Sequence, residues 1–144
     1  MITINSSITI ARPAGEVFEF VRNQENTHAW LSGWLETRPT SENEGVGFTW
    51  VDVIEVFGRR VETEFELTEF EPGRKLAFKS IRGSFPIRGI YSFVPIEEGT
   101  AVIFELQGEP GGFFKLAEPL LARMLQRQWD TNLANLKDAI EMAG

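Results

Sequence analysis

Cysteine is absent from these 144 residues, and histidine occurs once. Disulfides, thiolate nucleophiles and zinc sites built on Cys are thereby excluded, and a lone His28 cannot make a His-rich metal cluster. Neither a metal nor a cofactor is expected. Basic residues are scarce: 14 Lys and Arg stand against 21 Asp and Glu, for a net charge of -7. Without a basic stripe, the counterion release that dominates nucleic-acid affinity has no source. DNA, RNA and anionic membrane surfaces are set aside as partners. Long apolar runs are missing too: no segment approaches the roughly 18 residues a membrane-spanning helix needs. The start, MITINSSITI, lacks the basic-then-apolar order of a secretion signal. The expectation is a soluble, cytoplasmic monomer or homodimer with no membrane insertion.

What the sequence does hold is aromatic surface. Its 42% of apolar residues include 12 Phe and 4 Trp. A chain of this length buries roughly 68 to 70% of its unfolded surface around one core, so a single domain over residues 1–144 is expected. The first run, ITINSSITI, places Ile2, Ile4, Ile8 and Ile10 in the alternation of a half-buried strand, interrupted by Asn5, Ser6 and Ser7. Pro13 then opens a helix whose apolar positions Val17, Phe18 and Val21 keep helical spacing as far as Asn23. A second short helical turn covers QENTHAW. Trp34 to Arg38 reads as a strand ending at Pro39, before the polar loop SENEG.

From Val46 to Glu109 the period changes to alternation, and four turn signals divide it into five strands. Gly58-Arg59, with Gly first as a type II′ turn prefers, makes Phe57 face Arg60. Pro72-Gly73 makes Glu71 face Arg74, and Gly83-Ser84 makes Arg82 face Phe85. A four-residue loop from Glu97 to Thr100 makes Ile96 face Ala101. Facing residues of an antiparallel pair point to the same side, so one assigned face propagates through all five strands. Glu62, Glu64 and Glu66 mark the solvent face, because three such carboxylates are not buried unpaired. The inner face is then Phe48, Trp50, Asp52, Ile54 and Val56; Val61, Thr63, Phe65 and Leu67; Leu76, Phe78, Ser80 and Arg82; Phe85, Ile87, Gly89, Tyr91 and Phe93; and Val102, Phe104, Leu106 and Gly108. On the outer face these registers pair Glu66 with Lys79 and Arg88 with Glu109. They also set Glu55 opposite Glu62, a like-charge contact that requires either screening by Arg60 or a bulge in the first hairpin.

Phe113 to about Met142 forms a helical segment that Pro119 kinks or restarts. Beyond Pro119, residues Leu121, Ala122, Leu125, Trp129, Leu133, Leu136, Ala139 and Ile140 share one arc, with Asn132 inside it and Gln128 at its edge. Laid on the concave face of the sheet, this helix is lid and core at once.

The expected pairing sets Gly89 against Gly108 beside Phe78, a gap in a bulky wall. At about 24 cal/mol per Å3, an empty space of roughly 300 Å3 would cost about 7 kcal/mol, comparable to the stability of a whole domain. Such a space would be filled or used. The two glycines suit equally a curved sheet or a close approach of the helix near Trp129. Asp52, Thr63, Ser80 and Arg82 are inner-face neighbours, and unpaired burial would cost about 1 to 3 kcal/mol each. They read either as the polar end of a pocket, with the oxygen-bearing head of an amphipathic ligand near Arg82, or as an Asp52–Arg82 ion pair at a rim open to water. Candidate ligand-binding residues are therefore Trp50, Asp52, Thr63, Phe65, Leu67, Phe78, Ser80, Arg82, Gly89, Tyr91, Phe104 and Leu106 from the sheet, with Leu125, Trp129 and Asn132 from the helix. Asn132 suits a ligand carbonyl or a strand backbone group. Tyr91 suits a ligand contact or an amphipathic core position. His28, with no recognisable catalytic partner, reads as a rim or core residue, and no catalytic residue is assigned.

The order of a strand, the PAGEVFEFV helix, NQENTHAW, the Gly-rich GVGFTW, the hairpin GRRVETEFELTEFEPGRKLAFKS and a closing LxxLK helix (Leu133 to Lys137) resembles the START-like (SRPBCC) superfamily of helix-grip domains. That superfamily includes the birch-pollen allergens, and the likeness is greatest to its polyketide cyclase/dehydratase branch. It covers essentially the full chain; its recurrent signatures are the PAxxVFxFV helix, Trp30 and the EFEPGRKLAF turn. The resemblance implies an α+β helix-grip fold: a seven-stranded curved antiparallel sheet wrapped around a long C-terminal helix, with two short helices between strands 1 and 2 and a hydrophobic cavity between sheet and helix. Members bind or carry lipids, sterols, quinones and hormones, or cyclise and dehydrate polyketides, so the fold does not choose among functions. The first expectation is binding or carriage of a small hydrophobic or amphipathic molecule. The alternative is a cyclase- or dehydratase-type enzyme acting on an aromatic or polyketide-like substrate, with Asp52 or Tyr91 moving a proton and Arg82 stabilising an enolate-like oxygen. A third is a protein-interaction module using the rim around His28, Trp30 and Trp34, which exposed Trp side chains would support.

Overall fold

The computed structural model describes residues 1–83 and 85–143. The strands are β1 (Ile2–Ile10), β2 (Trp34–Pro39), β3 (Thr49–Val56), β4 (Arg59–Glu71), β5 (Lys75–Arg82), β6 (Ile87–Ile96) and β7 (Gly99–Gly108). They form one antiparallel sheet in the order β1-β7-β6-β5-β4-β3-β2. Between β1 and β2 lie α1 (Ala14–Arg22), a 3-10 turn (Gln24–Asn26) and α2 (Thr27–Trp30); after β7 come α3 (Phe113–Leu116) and α4 (Glu118–Met142). The arrangement is the helix grip, a curled sheet closed around the last helix. Among the described residues no helix is long and apolar enough to cross a membrane.

Pro119 restarts the helix rather than kinking it. It sits in the first turn of α4, where its missing N–H has no intrahelical partner to lose. Leu121, Trp129, Asn132, Leu133, Leu136 and Ile140 are the buried residues of α4, the arc read from the spacing. The polar break in ITINSSITI is what seats this helix. Ser6 Oγ donates to Asp130 Oδ1 at 2.6 Å, while Gln126 Nε2 and Lys137 Nζ donate to the Asn5 and Thr9 carbonyls at 2.8 and 3.0 Å. β1 is an edge strand, so α4 supplies donors to carbonyls that no further strand would pair. Above this seam Trp129 stacks on Phe104 at 3.9 Å, and Phe18 of α1 meets Phe70 and Phe93 edge-on at 5.3 and 5.5 Å.

Two hairpins are displaced from the expected register. The first turn falls on Phe57–Gly58, both at positive φ (51° and 74°), the backbone of a type I′ turn. Val56 therefore faces Arg59, and Glu55 lies opposite Arg60, so the expected contact with Glu62 does not arise. The last hairpin turns on Glu97–Glu98 alone: Ile96 pairs with Gly99, Gly89 with Leu106 and Gly108 with Ile87, not with each other. Arg88 pairs with Gln107 instead of Glu109, its Nε donating to Gln107 Oε1 at 2.9 Å. Gly99 permits the short turn, since at φ 138° a side chain would strike the Ile10 carbonyl. Both displacements move each partner by an even step, which keeps every side chain on its expected face.

β4 and β5 shift by odd steps, which do change the face. Glu71 lies opposite Lys75 across a three-residue turn, and an extra residue at Thr68 then restores the expected pairs Leu67–Phe78, Glu66–Lys79 and Phe65–Ser80. A further extra residue, Ile81, sets Arg82 opposite Glu64 of the outer face. The inward Arg82 expected from alternation is thus corrected: its side chain is 86% exposed, with Nε 3.9 Å from Glu64. Of the expected Gly83-Ser84 turn, Ser84 lies outside the described residues. The β5–β6 pairs Leu76–Tyr91 and Phe78–Gly89 are those the sequence implied.

Candidate functional site

A cleft of about 780 Å3, open to solvent at one side, lies between the concave sheet and the α1–α2 segment. Six strands line it: β2 through Trp34, Thr37 and Pro39, β3 through Trp50 and Asp52, β4 through Phe65 and Leu67, β5 through Leu76 and Phe78, β6 through Ile87 and Tyr91, and β7 through Leu106. Trp30, Leu31 and Trp34 close the other side, and Glu19, Arg22 and Asn23 at the end of α1 share the mouth with loop 41–45. All four tryptophans of the chain line this one space. α4 contributes Trp129 alone, so the cover expected from the last helix comes mainly from the segment between β1 and β2. Trp129 meets Trp34 and Trp30 edge-on at 5.7 and 6.3 Å, and these rings close the helix off from the cleft.

Local capping aims that segment. The Asn23 side chain accepts from the Glu25 N–H at 3.0 Å at the start of the 3-10 turn, and Asn26 Nδ2 donates to the Phe20 carbonyl at 3.1 Å. The chain folds back, and Trp30 is buried. Ser32 then donates through both its N–H and its hydroxyl to Asn132 Oδ1, at 2.9 and 2.8 Å, while Gln128 Nε2 donates to the Ser32 carbonyl at 2.8 Å. Asn132 is wholly buried and does not line the cleft; it pins the wall that carries Trp30 and Trp34 to α4.

Asp52 is the polar centre. Pairing of β2 with β3 sets Thr37 opposite it, and Thr37 Oγ1 donates to Oδ1 at 2.7 Å. Trp50 Nε1 donates to Oδ2 at 3.3 Å. The Trp34 indole N–H approaches the same carboxylate outside hydrogen-bonding geometry and is buried without a formed partner. Burial pushes the Asp52 carboxyl up from the ordinary aspartate value, and the Thr37, Trp34 and Trp50 donors pull it part of the way back. The Tyr91 hydroxyl is pushed well above the usual tyrosine value, by burial first and then by the negative charge of Asp52. Tyr91 has no hydrogen-bond partner among the described residues. A carboxylate from β3 and a phenol from β6 thus converge on one aromatic space.

Of the residues singled out from the sequence, Trp50, Asp52, Phe65, Leu67, Phe78, Tyr91, Leu106 and Trp129 line the cleft. The rest lie elsewhere. Arg82 is on the outer face. Thr63 is buried against Gly83, and Ser80 Oγ accepts from the Ile87 N–H at 2.9 Å. Gly89 leaves no gap, because the Phe78 ring lies directly over it. Phe104 is beneath Trp129. Leu125 lines a separate apolar void of about 60 Å3 with Phe85, Phe114 and Leu121, and that void shares only Ile87 and Leu106 with the cleft. His28 is exposed on α2 and outside the lining. Thr37 is not singled out by the sequence, and Trp30 and Trp34 enter there as the rim of an interaction surface, not as ligand-binding residues. β2 reads as a strand in the sequence, but it is a short edge strand whose pairing with β3 shifts between Trp34 and Glu36, so its facing partners cannot be counted from a turn.

The fold recurs in solved structures of low sequence identity. The protein TTHA0849 from Thermus thermophilus superposes with a TM-score of 0.87 at 22% identity, covering 99% of each chain. The Zhui aromatase/cyclase from a Streptomyces species gives 0.82 at 14% identity, covering 96% of this chain and 93% of that one. A START superfamily protein from Mycobacterium smegmatis gives 0.80 at 13% identity over 100% of both. Identities this low carry the fold alone. No curated protein matches the sequence. The model of the family described as polyketide cyclase / dehydrase and lipid transport matches residues 1–141, and the chain belongs to that family.

Proposed function

We propose that this chain binds a small hydrophobic or amphipathic molecule in the cleft, with the rings of the sheet against its apolar body and Asp52, Thr37 and Tyr91 at its polar end. The observation that carries the reading is the cleft itself: about 780 Å3, walled inside by aromatic side chains, with Asp52 and Thr37 meeting within it and the other polar residues on α1–α2 and loop 41–45. Small-molecule sites have this size and this composition. An open cleft holds water rather than vacuum, and a ligand that displaces water from aromatic surface gains the hydrophobic free energy of that surface. Native mass spectrometry and solvent extraction of the purified protein test this together with titration of an apolar fluorescent probe. One saturable site per chain, with quenching of the tryptophans around it, is the expected result. No co-purified molecule and no probe uptake would refute it.

A second reading, an enzyme of the cyclase or dehydratase type, is favoured by the convergence of Asp52 and Tyr91. A carboxyl with a raised pKa is suited to proton transfer, and an unpartnered phenol can donate to a developing enolate oxygen. Arg82 has no part in it. Turnover of a polyketide-like substrate that Asp52→Asn and Tyr91→Phe each abolish, with binding retained, supports this reading; unchanged turnover in both variants rejects it. The interaction-module reading loses its support, because Trp30 is buried and Trp34 turns its ring into the cleft.

A further inference from the structure

With Arg82 turned outward, the charges that face the cleft are of nearly one sign. Asp52 lies inside it; Glu19, Glu42 and Glu44 lie at the mouth. Arg22, the one cation among the lining residues, is held by Glu19 at 2.8 Å. Trp50 turns its indole N–H to Asp52, the Trp34 indole N–H approaches the same carboxylate, and Tyr91, 8% exposed, lines the same cleft with no hydrogen-bond partner among the described residues. A half-buried carboxylate in an aromatic cleft is an environment that stabilises an ammonium group, through a charge-assisted hydrogen bond and through cation–π attraction where the ammonium meets a ring face. The same carboxylate repels a carboxylate or phosphate head in a low-dielectric space, and the acidic mouth repels it on approach.

On the reading that the cleft binds a small amphipathic molecule, we propose that its ligand class is the protonated amine with an aromatic or alicyclic body, seated with its nitrogen on Asp52, and that anionic amphiphiles such as fatty acids are rejected. The ligand cation neutralises a half-buried carboxylate that has no counter-charge among the described residues. Thr37 and Trp50 keep that carboxylate oriented toward it.

Three probes with one ring system and different heads test the proposal by isothermal titration calorimetry at neutral pH: naphthylethylamine, naphthylethanol and naphthylacetate. The amine is expected to bind about ten- to a hundredfold tighter than the alcohol, the range of a hydrogen bond to a charged group, and the carboxylate more weakly than the alcohol. In Asp52→Asn, with its fold checked by circular dichroism, amine and alcohol should bind alike. The wild type supplies a test that needs no variant: the amine preference should fade as the pH drops through the raised Asp52 value. The other ionisable groups facing the cleft are Tyr91 from β6, Glu19 and Arg22 from α1, and Glu42 and Glu44 from the loop. In Asp52→Asn the rim carboxylates remain, so a pH dependence that persists there assigns the preference to the rim and overturns the proposal. Equal binding of amine and alcohol in the wild type overturns it as well, while leaving cleft binding intact. Failure of all three probes to bind removes the binding reading and this inference together.

Discussion

Gly89→Ala tests the packing of the cleft wall through a change of sign. An ideal Cβ on Gly89 would stand 2.8 Å from Cε1 and 3.1 Å from Cε2 of Phe78, and closer still to Cζ, where ordinary contacts begin at 3.4 Å. The ring must retreat, and it has room, because Phe78 lines the open cleft. Overpacking of this kind costs about 1 to 3 kcal/mol. Gly89 is not among the glycines at positive φ, so alanine brings no backbone strain, and replacing a glycine within a strand gains about 0.5 to 1 kcal/mol by itself. The substitution should therefore destabilise the wild type by up to about 2.5 kcal/mol, the overpacking cost less that gain. In a Phe78→Ala background it should stabilise by about 0.5 to 1 kcal/mol. Urea unfolding of the four proteins at constant m measures the coupling, expected near 1 to 3 kcal/mol. The displaced ring should also weaken uptake of an apolar probe by Gly89→Ala. If the substitution has the same sign and size in both backgrounds, the ring is not what excludes the side chain and the reasoning fails.

Phe57, held at φ 51° and 40% exposed, should be replaceable by asparagine with a gain of about 0.5 to 1 kcal/mol, read as a rise in Tm; a loss would show that its ring contributes more than its backbone strain. Arg82→Ala should leave probe affinity unchanged and stability within about 0.5 kcal/mol, and a clear loss of affinity would restore the inward reading of that side chain. Asp52 sets a pH dependence of definite sign. Its folded-state pKa lies above the unfolded value, so within that window the folded protein keeps a proton the unfolded chain has released, and stability falls as pH rises through it. Asp52→Asn should accordingly have a higher Tm than the wild type at pH 7, an advantage that disappears below about pH 3.9. An advantage that does not change with pH refutes the assignment.

The concave face was legible because its error was of a forgiving kind. Glu62, Glu64 and Glu66 named the solvent side, and displacing the Phe57–Gly58 and Glu97–Glu98 turns by a residue moved facing partners by two, which preserves the side of every residue. An extra residue in one strand has no such tolerance. Ile81 reverses the phase of β5 before Arg82, and the cation expected at the polar end of the pocket is on the outer face, while Asp52 keeps its place. No turn signature marks Ile81, because the shift is set by how Glu64 and Phe65 pair across the sheet. The partners of Asp52 were hidden for a different reason: Thr37 reaches it through β2, whose register follows no hairpin turn from β3 and cannot be counted along the chain. The hydrogen bonds from Ser32 to Asn132 span a hundred residues of sequence, and alternation is silent at that range. Composition gave the abundance of rings but not which helices would enclose them.

Ile87 and Leu106 line both the cleft and the apolar void beneath α3 and the start of α4. The depth available to a guest is therefore metered by two aliphatic side chains. Trimming Leu106 would open the cleft toward a void of about 60 Å3, on the order of two water volumes, in addition to the space of the removed side chain. On the binding reading proposed above, tail length and head-group preference are separate variables, because Asp52 sits on a different strand from Ile87 and Leu106.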